Sequence, residues 1–158
     1  MNQQFVIRRL PNQFVEVNEQ SISNTIKPFN HPQDISDYWH AHIGCRPDFV
    51  LEQERIDVIL LDSTHTPTGW TMIALGGVNF CKIRIAEIIR PAVVSNSPSF
   101  VMIHNHPSGD VESSPADRSM TRQLQQATEL FGINLADHLI VHGQNKQIWY
   151  SFRQRGLL

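Results

Sequence analysis

Ser99-Phe100-Val101-Met102-Ile103-His104-Asn105-His106-Pro107-Ser108-Gly109-Asp110 leads, after three further residues, into Ser114-Pro115-Ala116-Asp117. The segment Ser99 to Ile103 is apolar on both alternating faces, the mark of a central strand covered from both sides. Ser114-Pro115 supplies an N-cap residue and a proline for the first helical position. Beyond them Met120, Leu124, Ala127 and Phe131 recur at helical spacing, and Gly132 reads as the C-terminal stop. A buried strand followed by an amphipathic helix predicts an α/β fold, because that strand needs helices on both faces of its sheet.

Working outward, Pro32-Gln33-Asp34 opens a second helical pattern carried by Ile35, Tyr38, Trp39 and either His42 or Ile43, with Gly44 ending it ahead of Pro47. Ile56 to Leu61 and Trp70 to Leu75 are β-rich runs around a polar turn, Asp62 to Gly69, and read as an antiparallel hairpin. Lys82 to Val93 carries Ile83, Ala86, Ile88 and Ile89 opposite Glu87 and Arg90, a helical face with Pro91 near its end. Leu139 to Val141 and Ile148 to Tyr150 close the chain as strands. The expected architecture is a mixed central sheet with helices on its faces, occupying residues 31–158. Residues 1–30 alternate weakly and are broken by Pro11 and Pro28, which predicts a short strand or two, then a linker, as an extension of no assigned role.

Composition narrows the function. At 158 residues with 41% hydrophobic and 18% charged side chains, the chain can bury one sizeable core. Thirteen Lys and Arg against fifteen Asp and Glu leave a net charge of −2, which disfavours nucleic acid as a partner. Cys45 and Cys81 have no Cys-x-x-Cys spacing and predict buried or idle thiols. No apolar run approaches the roughly 18 residues of a membrane span, and Met1 to Leu10 alternates instead of forming a signal core, so a cytoplasmic protein without membrane attachment is expected.

The chemistry gathers after the central strand, where ligands of open α/β sheets collect. His104 and His106 are two residues apart, so a continuing strand projects both imidazoles from one face. Asp117 falls in the first turn of the next helix, and the Pro107 to Gly109 turn can fold that helix back over the histidines. Two imidazoles and a carboxylate leave a fourth tetrahedral position open, as in catalytic zinc sites. Ser114-x-x-Asp117 is equally a plain capping signature. His104-Asn105-His106 spells HNH only by coincidence, since that nuclease name denotes residues dispersed over a ββα motif. Zinc deaminases need His-x-Glu and a later Pro-Cys-x-x-Cys, which this chain lacks.

The spacing H-x-H-x(7)-S-x(2)-D over 104–117 matches the signature of JAB/MPN (JAMM) metalloproteases, and the wording around it resembles the RadC-like JAB domains of bacteria. The resemblance is carried by residues 104–110, by Gly132-Ile-Asn-Leu-Ala-Asp-His-Leu-Ile-Val141 and by Tyr150-Ser-Phe-Arg-Gln-Arg-Gly-Leu-Leu158, and covers about residues 31–158. It implies a JAB/MPN fold of the cytidine-deaminase-like kind and a hydrolase of peptide or isopeptide bonds in a peptide or protein substrate. It also implies one Zn2+ held by His104, His106 and Asp117. Glu54, with Glu52 as the neighbouring alternative, would serve as general acid/base for a zinc-bound water, and Ser114 as donor to the oxyanion. His138 reads as a buried group rather than a ligand.

Departures bear on the substrate. RadC proteins commonly carry a helix-hairpin-helix region before this domain, and residues 1–30 do not resemble one, which weakens a DNA-repair role. Arg84-Ile85-Ala86-Glu87 stands where that branch often reads His-Pro-Arg-Glu. The short turns leave no room for the insertions with which eukaryotic relatives grip ubiquitin. A metal-stabilised interaction domain without turnover is the remaining alternative.

Overall fold

The computed structural model describes residues 3–9, 15–21, 26–76 and 83–158. Seven strands, β1 (Gln3–Arg9), β2 (Val15–Ser21), β3 (Glu54–Leu61), β4 (Pro67–Gly76), β5 (Ser99–Asn105), β6 (Asn134–Val141) and β7 (Trp149–Ser151), form one sheet in the order β2-β1-β4-β3-β5-β6-β7. The helices are α1 (Pro32–His42), α2 (Ile85–Val94) and α3 (Pro115–Phe131). The sheet is mixed: β1 runs parallel to β4 and β5 to β6, and the other neighbours are antiparallel. The mixed α/β fold expected from the sequence is therefore present, including the β3–β4 hairpin.

Alternation along β3 and β5 sorts the core into two layers. Ile56, Val58, Leu60, Phe100 and Met102 face Ile88, Ile89 and Ala92 of α2 and Met120 and Leu124 of α3. Ile59, Leu61, Val101 and Ile103 face the other way, onto Ile35, Tyr38 and Trp39 of α1 with Ile43 just beyond it. All seven residues of β5 are buried, which explains the uninterrupted apolar run in the sequence. Under the α1 layer, Arg55 is buried beside Asp57, its Nε donating to both carboxylate oxygens at 2.9 Å, while Trp39 Nε1 donates to Asp57 Oδ2 at 3.0 Å.

Three details differ from the sequence reading. Phe131, expected in the core, is 60% exposed, and Thr128 takes the last buried position of α3. Phe131 is the last residue of the helix, which ends abruptly there: Gly132 caps it with φ +65° and β6 begins two residues later, so the chain reverses beside it. Ala86 is likewise exposed, and α2 starts at Ile85, carrying Pro91 inside it; Lys82 and Cys81 lie outside the described residues. Cys45 is exposed, with its thiol directed at Ala41 O. Among the described residues, no helix is long and apolar enough to cross a membrane.

Candidate metal centre

Register assembles the site. In the antiparallel β3–β5 ladder Ile56 is opposite His104 and Arg55 opposite Asn105, so Glu54 and Ile56 share the face of His104. His106, one residue past β5, keeps that parity and lies across from Glu54. Ligand atoms of Glu54, His104 and His106 lie within 4.8 Å of one another. Glu52, the alternative acid, is exposed in the turn ahead of β3.

Helix α3 delivers the fourth group through its own cap. Asp117 Oδ2 accepts from Ser114 N at 2.7 Å, and Ser114 Oγ accepts from Asp117 N at 3.1 Å, a reciprocal capping box. The same carboxylate reaches the histidines, with Oδ1 at 3.3 Å from His104 Nε2 and Oδ2 at 3.5 Å from His106 Nε2. The cap and the cluster are thus one structure, so the two readings of Ser114-x-x-Asp117 coexist.

Hydrogen bonds on the far sides of the rings determine what faces the centre. Thr121 Oγ1 donates to Asp117 O at 2.7 Å and can accept from His138 Nδ1, 2.6 Å away. His138 Nε2 is then an acceptor for His104 Nδ1 at 3.0 Å, which turns the lone pair of His104 Nε2 inward. His106 Nδ1 lies 2.6 Å from Asp110 O, an acceptor only, so its Nε2 lone pair also points inward. The two Nε2 atoms are 3.1 Å apart, and buried Asp117 Oδ1 receives no hydrogen bond.

Three acceptor groups aimed at one point could hold a cation between them. The two Nε2 atoms are 3.1 Å apart and each meets a different oxygen of Asp117, Oδ1 at 3.3 Å and Oδ2 at 3.5 Å, separations of the order of the roughly 3.3 Å between neighbouring ligands of a small divalent ion. The donor set of two imidazoles and one carboxylate suits a borderline divalent metal. His104 and Asp117 are fully buried while the His106 side chain is 17% exposed, so the centre opens to solvent on the His106 side.

The electrostatics agree with ligand duty. Burial lowers the pKa of His104 and, more strongly, of His138, so both imidazoles are neutral. Burial opposes charge on Asp117, but the adjoining imidazoles hold its carboxyl well below the usual range. The Asp117 hydrogen bond raises His106, the position where a proton would sit in place of a metal. Glu54, half-buried, is pushed up to about 7 by desolvation; the charge of His106 pulls the other way and that of Asp117 adds to the rise.

Several members of the site were not found by sequence reasoning. Asn105, the middle residue of the histidine pair, is fully buried and bonded to β3. Thr121 is one turn beyond Asp117. Phe152 stacks on His138 with ring centroids 4.3 Å apart and planes 9° from parallel, backing the ring that orients His104. For Thr121 the available signal was its place one turn after a candidate ligand; for Phe152 there was only its place in the matched terminal stretch.

Comparisons with known proteins identify the family of the chain. A family model described as the RadC-like JAB domain matches residues 29–157. A UPF0758 protein of Chloroflexus aggregans is 39% identical over 107 residues, covering 68% of this chain and 45% of the relative. Those of Chlorobium chlorochromatii and Thermotoga maritima are 34% identical over 135 residues and 35% over 127, covering 85% and 80% of this chain and 57% and 56% of the relatives. The chain thus spans about half the length of the curated relatives it matches. With nearly all of residues 31–158 inside the matched region and the histidine pair at the end of its central strand, the chain belongs to the RadC-like JAB domain family.

Proposed function

We propose that this chain is a zinc-dependent hydrolase of amide bonds, a peptidase or isopeptidase, with His104, His106 and Asp117 as metal ligands, Glu54 as proton carrier and Ser114 as oxyanion donor. The observation that carries this reading is the convergence of two inward-facing imidazole lone pairs and a buried carboxylate, with a second carboxylate of near-neutral pKa beside them. A bound divalent ion supplies Lewis acidity, lowering the pKa of coordinated water toward roughly 7.

Glu54 does the proton work. Half-buried beside the histidines, its carboxylate accepts a proton from the attacking water and returns it to the leaving nitrogen, which departs as a neutral amine. Ser114 Oγ already accepts from Asp117 N, so its hydroxyl proton can be donated to the oxygen that gains charge as the carbonyl carbon becomes tetrahedral. The opening on the His106 side admits the substrate carbonyl, and the buried side supplies a rigid wall.

The test is a peptide and isopeptide library assayed with zinc-loaded protein, together with metal analysis. Glu54→Gln should retain one metal per chain and lose turnover by about 10²-fold or more. Unchanged turnover in that variant would remove Glu54 from the mechanism. Metal-dependent stability with no turnover of any library member would favour the non-enzymatic alternative.

A further inference from the structure

Asn105 sits between the two histidines in sequence, yet alternation turns it away from their face of the sheet. Its amide reaches along the backbone of the neighbouring strand. Oδ1 accepts from Arg55 N at 3.0 Å, and Nδ2 donates to Gln53 O at 3.1 Å. These two peptide groups flank Glu54 on either side. The β3–β5 ladder ends at the Arg55–Asn105 pair, so beyond it the start of β3 is held to β5 by this side chain.

We propose that Asn105 is a positioning residue for Glu54, holding the peptide groups on both sides of it so that its carboxylate stays beside the histidines. This rests on the reading of Glu54 as the proton carrier. A primary amide has a donor and an acceptor a fixed distance apart, which is what bridging a C=O and an N–H two residues apart along one strand requires. Aspartate lacks the donor, and serine is too short to span both groups. Asn105 is fully buried, so its bond to Arg55 N forms out of competition with water, while the bond to Gln53 O is part-buried at the exposed start of the strand. No other side-chain bond to these two peptide groups occurs among the described residues.

The experiment uses cobalt(II) as the probe, since the visible spectrum of the bound ion reports what stands beside it, and the spectrum and Kd are recorded for wild type, Asn105→Ala, Asn105→Ser, Glu54→Gln and the double variant Asn105→Ala/Glu54→Gln. The expected result is that both Asn105 variants bind cobalt within about threefold of wild type, well inside the 10–100-fold loss expected when a group supporting a ligand is removed. Their spectra should change in the same sense as that of Glu54→Gln, and the double variant should match Glu54→Gln alone. Amide hydrogen exchange at Arg55 should accelerate in Asn105→Ala.

A wild-type spectrum in both Asn105 variants, a further spectral change in the double variant, or unchanged exchange at Arg55 would overturn the proposal. A loss of cobalt affinity beyond tenfold would do the same, by showing that Asn105 acts on the histidines. If wild-type protein binds no stoichiometric cobalt, the metal centre itself fails, and that outcome is distinct from a failure of the Asn105 clamp.

Discussion

His104 works as a ligand only if its other nitrogen carries the proton, and the structure sets this through His138, Thr121 and the carbonyl of Asp117. Thr121→Val removes the end of that chain while keeping the shape. It should weaken zinc affinity by about 10-fold, and His138→Phe by up to roughly 100-fold, both read by competition with a chromophoric chelator. His104→Ala should eliminate stoichiometric metal, measured by elemental analysis of purified protein. The histidine spacing and Asp117 were legible in sequence because a strand of period two and a helix cap are local patterns. Thr121, Asn105 and Phe152 were not, since each acts on a residue of another element, and a place one turn after Asp117 or within the matched terminal stretch does not say which one.

Strand β3 carries two kinds of chemistry on opposite faces, Glu54 toward the metal centre and the Arg55–Asp57 pair toward α1. Desolvation pushes Asp57 up to about 6, against the pull of Arg55 and Trp39. The unfolded carboxyl titrates near 3.9, so the folded protein binds the extra proton between these values. Its stabilising contribution is full below about pH 4 and is lost as pH rises through about 6. Asp57→Asn should flatten the dependence of stability on pH in that window, and it should also destabilise the fold by roughly 3 kcal/mol at neutral pH by leaving Arg55 buried without its counter-charge. Urea unfolding at pH 4, 5, 6 and 7 measures both. In α3, Leu124→Ala should cost about 2–5 kcal/mol, whereas Phe131→Ser should stay within about 0.5 kcal/mol despite occupying the same heptad-like stripe. The periodicity that placed Phe131 in the core holds along the helix; what it could not show is that the last turn is left exposed where the chain reverses at Gly132.

At the scale of the molecule, the two hydrophobic core layers on either side of the sheet include none of the side chains of the metal centre, so chelation should lower Tm in a zinc-dependent way while leaving the far-ultraviolet circular dichroism of the native protein. Loss of secondary structure on adding chelator would instead assign the ion a folding role. The hairpin, the central strand and the helices could be read from local periodicity. The order of strands could not, because β3 and β5 pair across some fifty residues and β1 joins β4 in parallel, with a register that no short window specifies. Glu54 shows the same limit: its place just ahead of a core strand favours it over Glu52 in the sequence, but only the pairing of β3 with β5 brings it to the histidines.

That pairing has a consequence for errors in folding. Glu54 and Arg55 are adjacent and face opposite ways, so a slip of β3 by a single residue in one direction would bring Arg55 to the place of Glu54 and Ile56 to the place of Arg55. A guanidinium would then stand where the proton acceptor belongs, repelling any cation. Such a species would keep nearly all of its secondary structure and its full sequence, yet it would be inert.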